Sequence, residues 1–201
     1  MYSCKNKQIL IERGAMNARR VVLVALAGVS LMLSSGTTNS QTSSAEMTTV
    51  KHVDLSKYIG MWYEVSKIPN SFQKQCARNI TATYSLRDDG KIDVINRCTE
   101  SDGSVSEAKG IARVVDTTTN SKLEVSFVRI LGLQLFWGDY WIIGLNENYR
   151  YAVIGTPSRK YGWILSRTPV LSPEDKQAAF EILRTHGYNP DDFVTTEQTQ
   201  Q

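Results

Sequence analysis

Eight short segments of alternating apolar and polar residues run from residue 60 to residue 167, joined by links of hairpin length. This repeat constrains the fold more than any other feature of the chain. "SKLEVSFV" (121–128) shows it plainly: Leu123, Val125 and Phe127 share one face, and Lys122, Glu124 and Ser126 the other. A period of two is that of a half-buried β-strand. "ITATYSL" (80–86) puts Ile80, Ala82, Tyr84 and Leu86 on one face, and "KIDVINRC" (91–98) aligns Ile92 with Val94. "GMWYEVSK" (60–67), "SVSEAKGIARVV" (104–115), "GDYWIIGL" (138–145), "NYRYAVIGT" (148–156) and "KYGWILSR" (160–167) complete the set. "DDG" (88–90) and "SDG" (101–103) end in glycines that accept the positive φ of tight turns. Gly110, inside its strand, is expected to mark a bulge or bend.

Strands of this length and spacing make an antiparallel sandwich or barrel. One face is apolar and must be covered, and closing the sheet on itself also removes its edges. The period then changes. "LSPEDKQAAFEILRTHG" (171–187) offers Ser172 as an N-cap, Pro173 at the first helical position, acidic residues in the first turn and Gly187 as a stop. Ala179, Phe180, Leu183 and His186 fall at helical spacing, so one helix is expected to pack outside the sheet. The terminal "TTEQTQQ" is expected to fray.

The front of the chain is of another kind. Arg19 and Arg20 precede "VVLVALAGVSLML" (21–33), followed by small polar residues. A basic start, a short apolar run and a small-residue end make a secretory signal. The run is short of the ~20 residues of a membrane span. Residues 1–45 are therefore expected to be a targeting segment with a short linker, with Met16 as an alternative start, and residues 46–201 a single domain. Without residues 1–40 the formal charge of +3 becomes −1, with 18 basic against 19 acidic residues. Nothing in that balance calls for nucleic acid. Cys4 lies in the leader, which leaves Cys76 and Cys98; an even pair in an exported protein favours a disulfide, with a reactive thiol as the rival. Ideal hairpin pairing misses this bond by several residues, so it requires a bend or bulge near Cys76. Two distant histidines give no metal-ligand spacing, so neither a metal site nor a cofactor is expected.

With these segments in place the chain resembles the lipocalins, most closely the bacterial and apolipoprotein D branch, over about residues 55–196. "GMWYEVSKIP" resembles the family's first-strand G-x-W, "ATYSLRDDGKIDVINRC" the hairpin that follows, and "YGWILSRTP" the last strand with its terminal arginine. The family's middle motif is degraded to "LNE" (145–147), which puts in doubt any receptor contact attributed to that region. The resemblance implies an all-β fold, an eight-stranded antiparallel up-and-down barrel with the C-terminal α-helix outside. It also implies that Trp62 closes one end of the barrel with Arg167 across its indole, a cation–π contact of about 0.5–2 kcal/mol.

With Trp62 inward, strand parity turns Glu64, Ser66, Ala82, Tyr84, Ile92, Val94, Leu123, Val125, Phe127, Tyr140, Ile142, Ala152, Ile154, Trp163 and Leu165 toward the interior. Small inward residues, among them Ala82, Ala152 and Gly144, favour a cavity over a solid core. Glu64, Tyr84 and Tyr140 are the polar members. The candidate ligand-binding set is Glu64, Ala82, Tyr84, Ile92, Val94, Leu123, Val125, Phe127, Tyr140, Ile142, Trp163 and Leu165, with Trp62, Arg167, Cys76 and Cys98 structural. The bottom-up expectation is an elongated apolar ligand with a small polar end. The resemblance implies a fatty acid or lysophospholipid, stored or transported for membrane maintenance in the cell envelope. Export to the periplasm or medium is expected, with or without outer-membrane association. Gly36 stands where a lipoprotein's acylated cysteine would be, so lipidation is not expected. Two alternatives stay open: an isomerase-type enzyme using Cys76 or Glu64, and a partner-binding or dimerising protein. The latter would use the apolar segment 130–137, whose other readings are a lid over the mouth or a membrane contact. Monomer and homodimer are both compatible with the sequence.

Overall fold

The computed structural model describes residues 46–199. The expected leader, residues 1–45, lies outside the described residues. The described residues form eleven strands: β1 Gly60–Lys67, β2 Cys76–Leu86, β3 Ile92–Glu100, β4 Val105–Val114, β5 Lys122–Ser126, β6 Val128–Ile130, β7 Leu133–Leu135, β8 Gly138–Leu145, β9 Tyr151–Gly155, β10 Gly162–Ser166 and β11 Val194–Thr195. Strands β10-β9-β8-β5-β4-β3-β2-β1 form one antiparallel sheet in that order, and β10 pairs back onto β1. The result is a closed eight-stranded up-and-down barrel with the expected meander connectivity.

The inner faces carry the apolar members of each alternation. Trp62, Ala82, Tyr84, Ile92, Val94, Ala112, Leu123, Ile142, Ala152, Ile154 and Leu165 form one buried cluster. A second cluster lies on the outer face, where α2 (Pro173–Thr185) covers β8–β10 with Ala179 and Leu183 against Ile143, Val153 and Ile164. The Ser172 hydroxyl caps α2 by accepting from Asp175 N at 3.1 Å, and Gly187 leaves the helix at φ +76°. This is the helix expected from "SPED" and the terminal glycine.

Three local readings are corrected by bulges and close packing. Gly144 does not face the interior. A register shift between Ile142 and Gly144 turns it outward, where a Cβ would lie 2.7 Å from Ile182 Cδ1. Its missing side chain lets α2 approach the sheet. Ser66 is likewise turned out by a shift between Glu64 and Ser66; it pairs with outward Ile164 and donates to Val194 O at 2.9 Å. Gly110 is no bulge: the β3–β4 register is continuous through it. A Cβ there would sit 2.7 Å from Phe127 Cδ1, so the glycine makes room for that ring.

The last residues do not fray up to Thr199. The lower half of β1 pairs with β2, and the upper half, Ser66 and Lys67, pairs with β11. There β2 parts from β1, and its pairing with β3 carries two register shifts around Asn79, which is at φ +54°. The chain after β11 fills the gap: Asn79 N donates to Glu197 O at 2.8 Å, and Gln198 Nε2 donates to Glu64 O and Ile80 O at 2.8 and 2.9 Å. The same shifts absorb the hairpin mismatch and bring Cys76 and Cys98 to a Cα–Cα distance of 5.4 Å in a disulfide. Both thiols are thereby consumed, which removes the reactive-cysteine alternative.

Candidate functional site

The barrel has a plugged end and an open end. The plug begins with a four-residue helix, α1 (Leu55–Tyr58), started by the Asp54 carboxylate accepting from Ser56 N at 3.0 Å. Trp62 is completely buried above it and donates its indole N–H to Tyr58 O at 2.8 Å. The Arg167 guanidinium lies 3.8 Å from the Trp62 ring centroid. It donates to Met61 O at 2.7 Å and to the carbonyls of Lys57, Tyr58 and Ile59 at 2.7, 3.1 and 2.9 Å. Three of these acceptors terminate α1, where carbonyls lack helical partners and a cation is favoured. Gly60, at φ +96°, supplies a turn that side chains resist and leaves 3.4 Å between its absent Cβ and Arg167 Nη1.

An aromatic ladder rises from the plug. Ring centroids of Trp62 and Tyr58 are 5.1 Å apart, those of Tyr58 and Tyr84 5.8 Å, and those of Tyr84 and Tyr140 6.2 Å. The Tyr140 hydroxyl meets those of Tyr58 and Tyr84 at 2.8 and 3.1 Å. Burial pushes the phenols of Tyr58 and Tyr140 well above their ordinary range and that of Tyr84 up to about 12. All three therefore stay protonated at neutral pH. Around and above them stand Ile92, Val94, Leu123, Ile142, Ile154 and Leu165, all buried. Val125, Tyr140 and Trp163 are inward by register but only half-buried. In a closed barrel, an inward side chain keeps accessible surface only toward the lumen or the mouth.

Nearer the open end a polar network crosses the interior. Glu64 is 3% exposed. Its carboxylate takes the Lys67 ammonium at 3.0 Å, the Thr196 hydroxyl at 2.7 Å and the Gln73 amide at 2.8 Å. Gln73 Oε1 in turn accepts the Trp163 indole N–H at 3.2 Å. Gln73 belongs to a single 3-10 turn, Ser71–Gln73, in the connection after β1. Phe72 on that turn packs against Tyr161 and Trp163, with centroids 5.4 and 6.3 Å away. Glu64 is thus fully engaged in joining β1, the mouth turn and the C-terminal segment.

Among the twelve candidate residues, Phe127 stands apart. It lies beyond β5 and is 41% exposed at the rim, over Gly110. The other eleven lie inside the barrel. Segment 130–137 contains a hairpin of β6 and β7, turned by Leu131 and Gly132, both at positive φ. Leu131 is 98% exposed, and Ile130, Leu133 and Phe136 are exposed with it. Four contributors were missed in the sequence: Tyr58, Lys67, Gln73 and Thr196. Asp54 before "LSKY" is an N-cap signal that could have revealed the plug helix. Lys67 reads as an outward charge until the bulge beneath it is known. A separate shallow cleft of about 420 Å³, lined by Lys57, Glu147, Asn148, Tyr149 and Arg167, lies at the plugged end and includes the degraded "LNE" region.

Comparison with known proteins decides the family. A family model described as a lipocalin-like domain matches residues 53–198. The chain belongs to the lipocalin family. This lipocalin is 36% identical over 161 residues to the outer membrane lipoprotein Blc of Escherichia coli (strain K12), covering 80% of this chain and 88% of that one. It is 35% identical to temperature-induced lipocalin-1 of Arabidopsis thaliana, covering 79% and 86%. It is 34% identical to apolipoprotein D of Mus musculus, covering 74% and 78%. Among solved structures, insecticyanin from the tobacco hornworm Manduca sexta superposes with a TM-score of 0.63 at 21% identity, over 77% of this lipocalin and 86% of that chain. Lobster apocrustacyanin A1 gives 0.58 at 16% identity, over 72% and 79%. These two likenesses carry the fold alone.

Proposed function

We propose that this lipocalin is exported and binds a fatty acid or lysophospholipid in its barrel, storing or carrying it at the cell envelope. One observation carries the reading: the barrel is sealed below by Trp62 and Arg167, while inward Val125, Tyr140 and Trp163 keep accessible surface above. A lumen closed at one end, apolar on its walls and bearing a few placed polar groups suits an elongated amphiphile. The acyl chain lies against Ile92, Val94, Leu123, Ile142 and Leu165. The relatives named as an outer membrane lipoprotein and as an apolipoprotein support the lipid and envelope parts of the reading. We read the protein as a carrier and not an enzyme, because Glu64 is held by three partners and both cysteines are bonded to each other. The same proposal includes a leader over residues 1–45 and a mature chain without acylation, both argued from the sequence, since those residues lie outside the described ones. Titration of delipidated protein with oleate and 1-oleoyl lysophosphatidylcholine tests the reading; saturable one-to-one binding is expected. No binding of either lipid overturns it.

A second reading concerns the β6–β7 hairpin. Its exposed apolar tip, with Arg129 and Lys74 also exposed near the open end, suits contact with an anionic membrane surface. Flotation with phosphatidylglycerol vesicles is expected to retain the protein and to lose it in Leu131→Ser. A dimer that persists with lysolipid and ignores vesicles would assign the hairpin to self-association.

A further inference from the structure

Three tyrosine hydroxyls meet above the plug, and counting their protons leaves one without an acceptor. Tyr58 comes from α1, Tyr84 from β2 and Tyr140 from β8. The central Tyr140 oxygen is 2.8 Å from that of Tyr58 and 3.1 Å from that of Tyr84. Three phenols bring three O–H donors, whereas a chain of three oxygens contains two hydrogen bonds. Whichever way those bonds run, one O–H is left over. No other hydrogen bond to these hydroxyls is present among the described residues. Tyr58 and Tyr84 are over nine-tenths buried. A buried donor without an acceptor is costly, so such groups point to a partner.

We propose that the Tyr58–Tyr140–Tyr84 triad is a binding subsite on the lumen floor for an uncharged oxygen of the bound lipid: a hydroxyl, ketone or ester carbonyl. This rests on the lipid-carrier reading and specifies the ligand within it. The position fits, because burial relaxes up the aromatic ladder from Trp62 to half-buried Tyr140, which keeps surface toward the lumen. The charge balance selects the oxygen. Arg167 is committed to four carbonyls and the Trp62 ring, and Lys67 is paired with Glu64. A carboxylate or phosphate on this floor would be desolvated with no free cation beside it. A neutral oxygen needs only the spare O–H, and the phenols, kept protonated by burial, can supply it. Two lipid geometries share this chemistry: a chain oxygenated at its far end with its charged head at the mouth, and a neutral ester that enters head first.

The test uses delipidated full-length protein and three probes, palmitate, ω-hydroxypalmitate and monopalmitin, titrated by calorimetry. The wild type is expected to bind at least one oxygenated probe about tenfold tighter than palmitate, the scale of one hydrogen bond. Tyr140→Phe and Tyr84→Phe, which keep ring volume, are expected to bring that preference within about twofold, with near-UV circular dichroism as the control for the folded barrel. A Tyr-dependent preference for ω-hydroxypalmitate identifies the chain-end geometry, and one for monopalmitin the head-first geometry. No preference in the wild type, or a preference that survives both variants, overturns the subsite and leaves the carrier reading standing; the triad then only ties α1 to the wall. Failure of all three probes to bind overturns the carrier reading and the subsite with it.

Discussion

Replacing Arg167 by alanine removes the clamp on the plugged end. The guanidinium makes four bonds to carbonyls and lies 3.8 Å from the Trp62 ring centroid. Water can replace the bonds to Lys57 O and Met61 O, which are exposed, but is poorly placed to reach Tyr58 O and Ile59 O. A hydrogen bond from a charged donor is worth about 1.5–3 kcal/mol and the ring contact about 0.5–2 kcal/mol. The terms share one cation and are not additive, so about 4 kcal/mol is the working estimate. At about 2–4 °C per kcal/mol for a domain of this size, the midpoint should fall by roughly 8–16 °C. Arg167→Lys keeps the charge but loses the planar fork, and about half the loss is expected. Urea unfolding followed by tryptophan fluorescence and near-UV circular dichroism measures both variants. A loss below about 1 kcal/mol in Arg167→Ala, with the native spectrum kept, would refute the clamp; the scale is that of one ordinary hydrogen bond.

Further consequences are equally measurable. Removing the Cys76–Cys98 bond, which closes a 22-residue separation, should lower stability by about 2–4 kcal/mol in Cys76→Ser/Cys98→Ser, read by denaturant midpoint. Glu64→Gln strands the Lys67 ammonium in a nearly closed site and should cost about 3 kcal/mol, whereas Glu64→Leu/Lys67→Met should be better tolerated than either single change. Gly144→Ala drives a Cβ into Ile182 and should cost about 1–3 kcal/mol, partly relieved by Ile182→Ala. The buried phenols predict alkaline sensitivity. Tyr84 ionises near 10.0 when unfolded and near 12 when folded, so its contribution is intact below pH 10 and is lost as pH rises toward 12. The loss is about 3 kcal/mol for a shift of two units, and Tyr84→Phe should flatten that limb of the pH–stability curve.

Most of the barrel was legible because alternation is local. Each strand reports its inner face in its own residues, and turns such as "DDG" mark the ends. The helix was legible for the same reason, through Ser172, Pro173 and Gly187. What escaped depends on neighbours distant in sequence. A bulge at Val65 leaves no mark in "YEVSK", yet it turns Ser66 outward and Lys67 inward toward Glu64. Gly144 and Gly110 read as a small inward residue and a bend; only the approach of Ile182 and Phe127 reveals their purpose. The four residues of α1 make little more than one turn, too few to repeat a pattern, and only the Asp54 cap marks the helix, so Tyr58 and the hydroxyl triad were not assembled. The C-terminal residues look polar and unstructured, but they complete the wall where β2 departs from β1.

Native mass spectrometry of protein purified from cells without detergent reads the occupancy of the barrel. A one-to-one adduct of fatty acid or lysophospholipid mass is expected, released on unfolding and restored when the delipidated protein meets the same lipid. A mass equal to the bare chain, with no uptake of oleate or lysophosphatidylcholine by the refolded barrel, would contradict it.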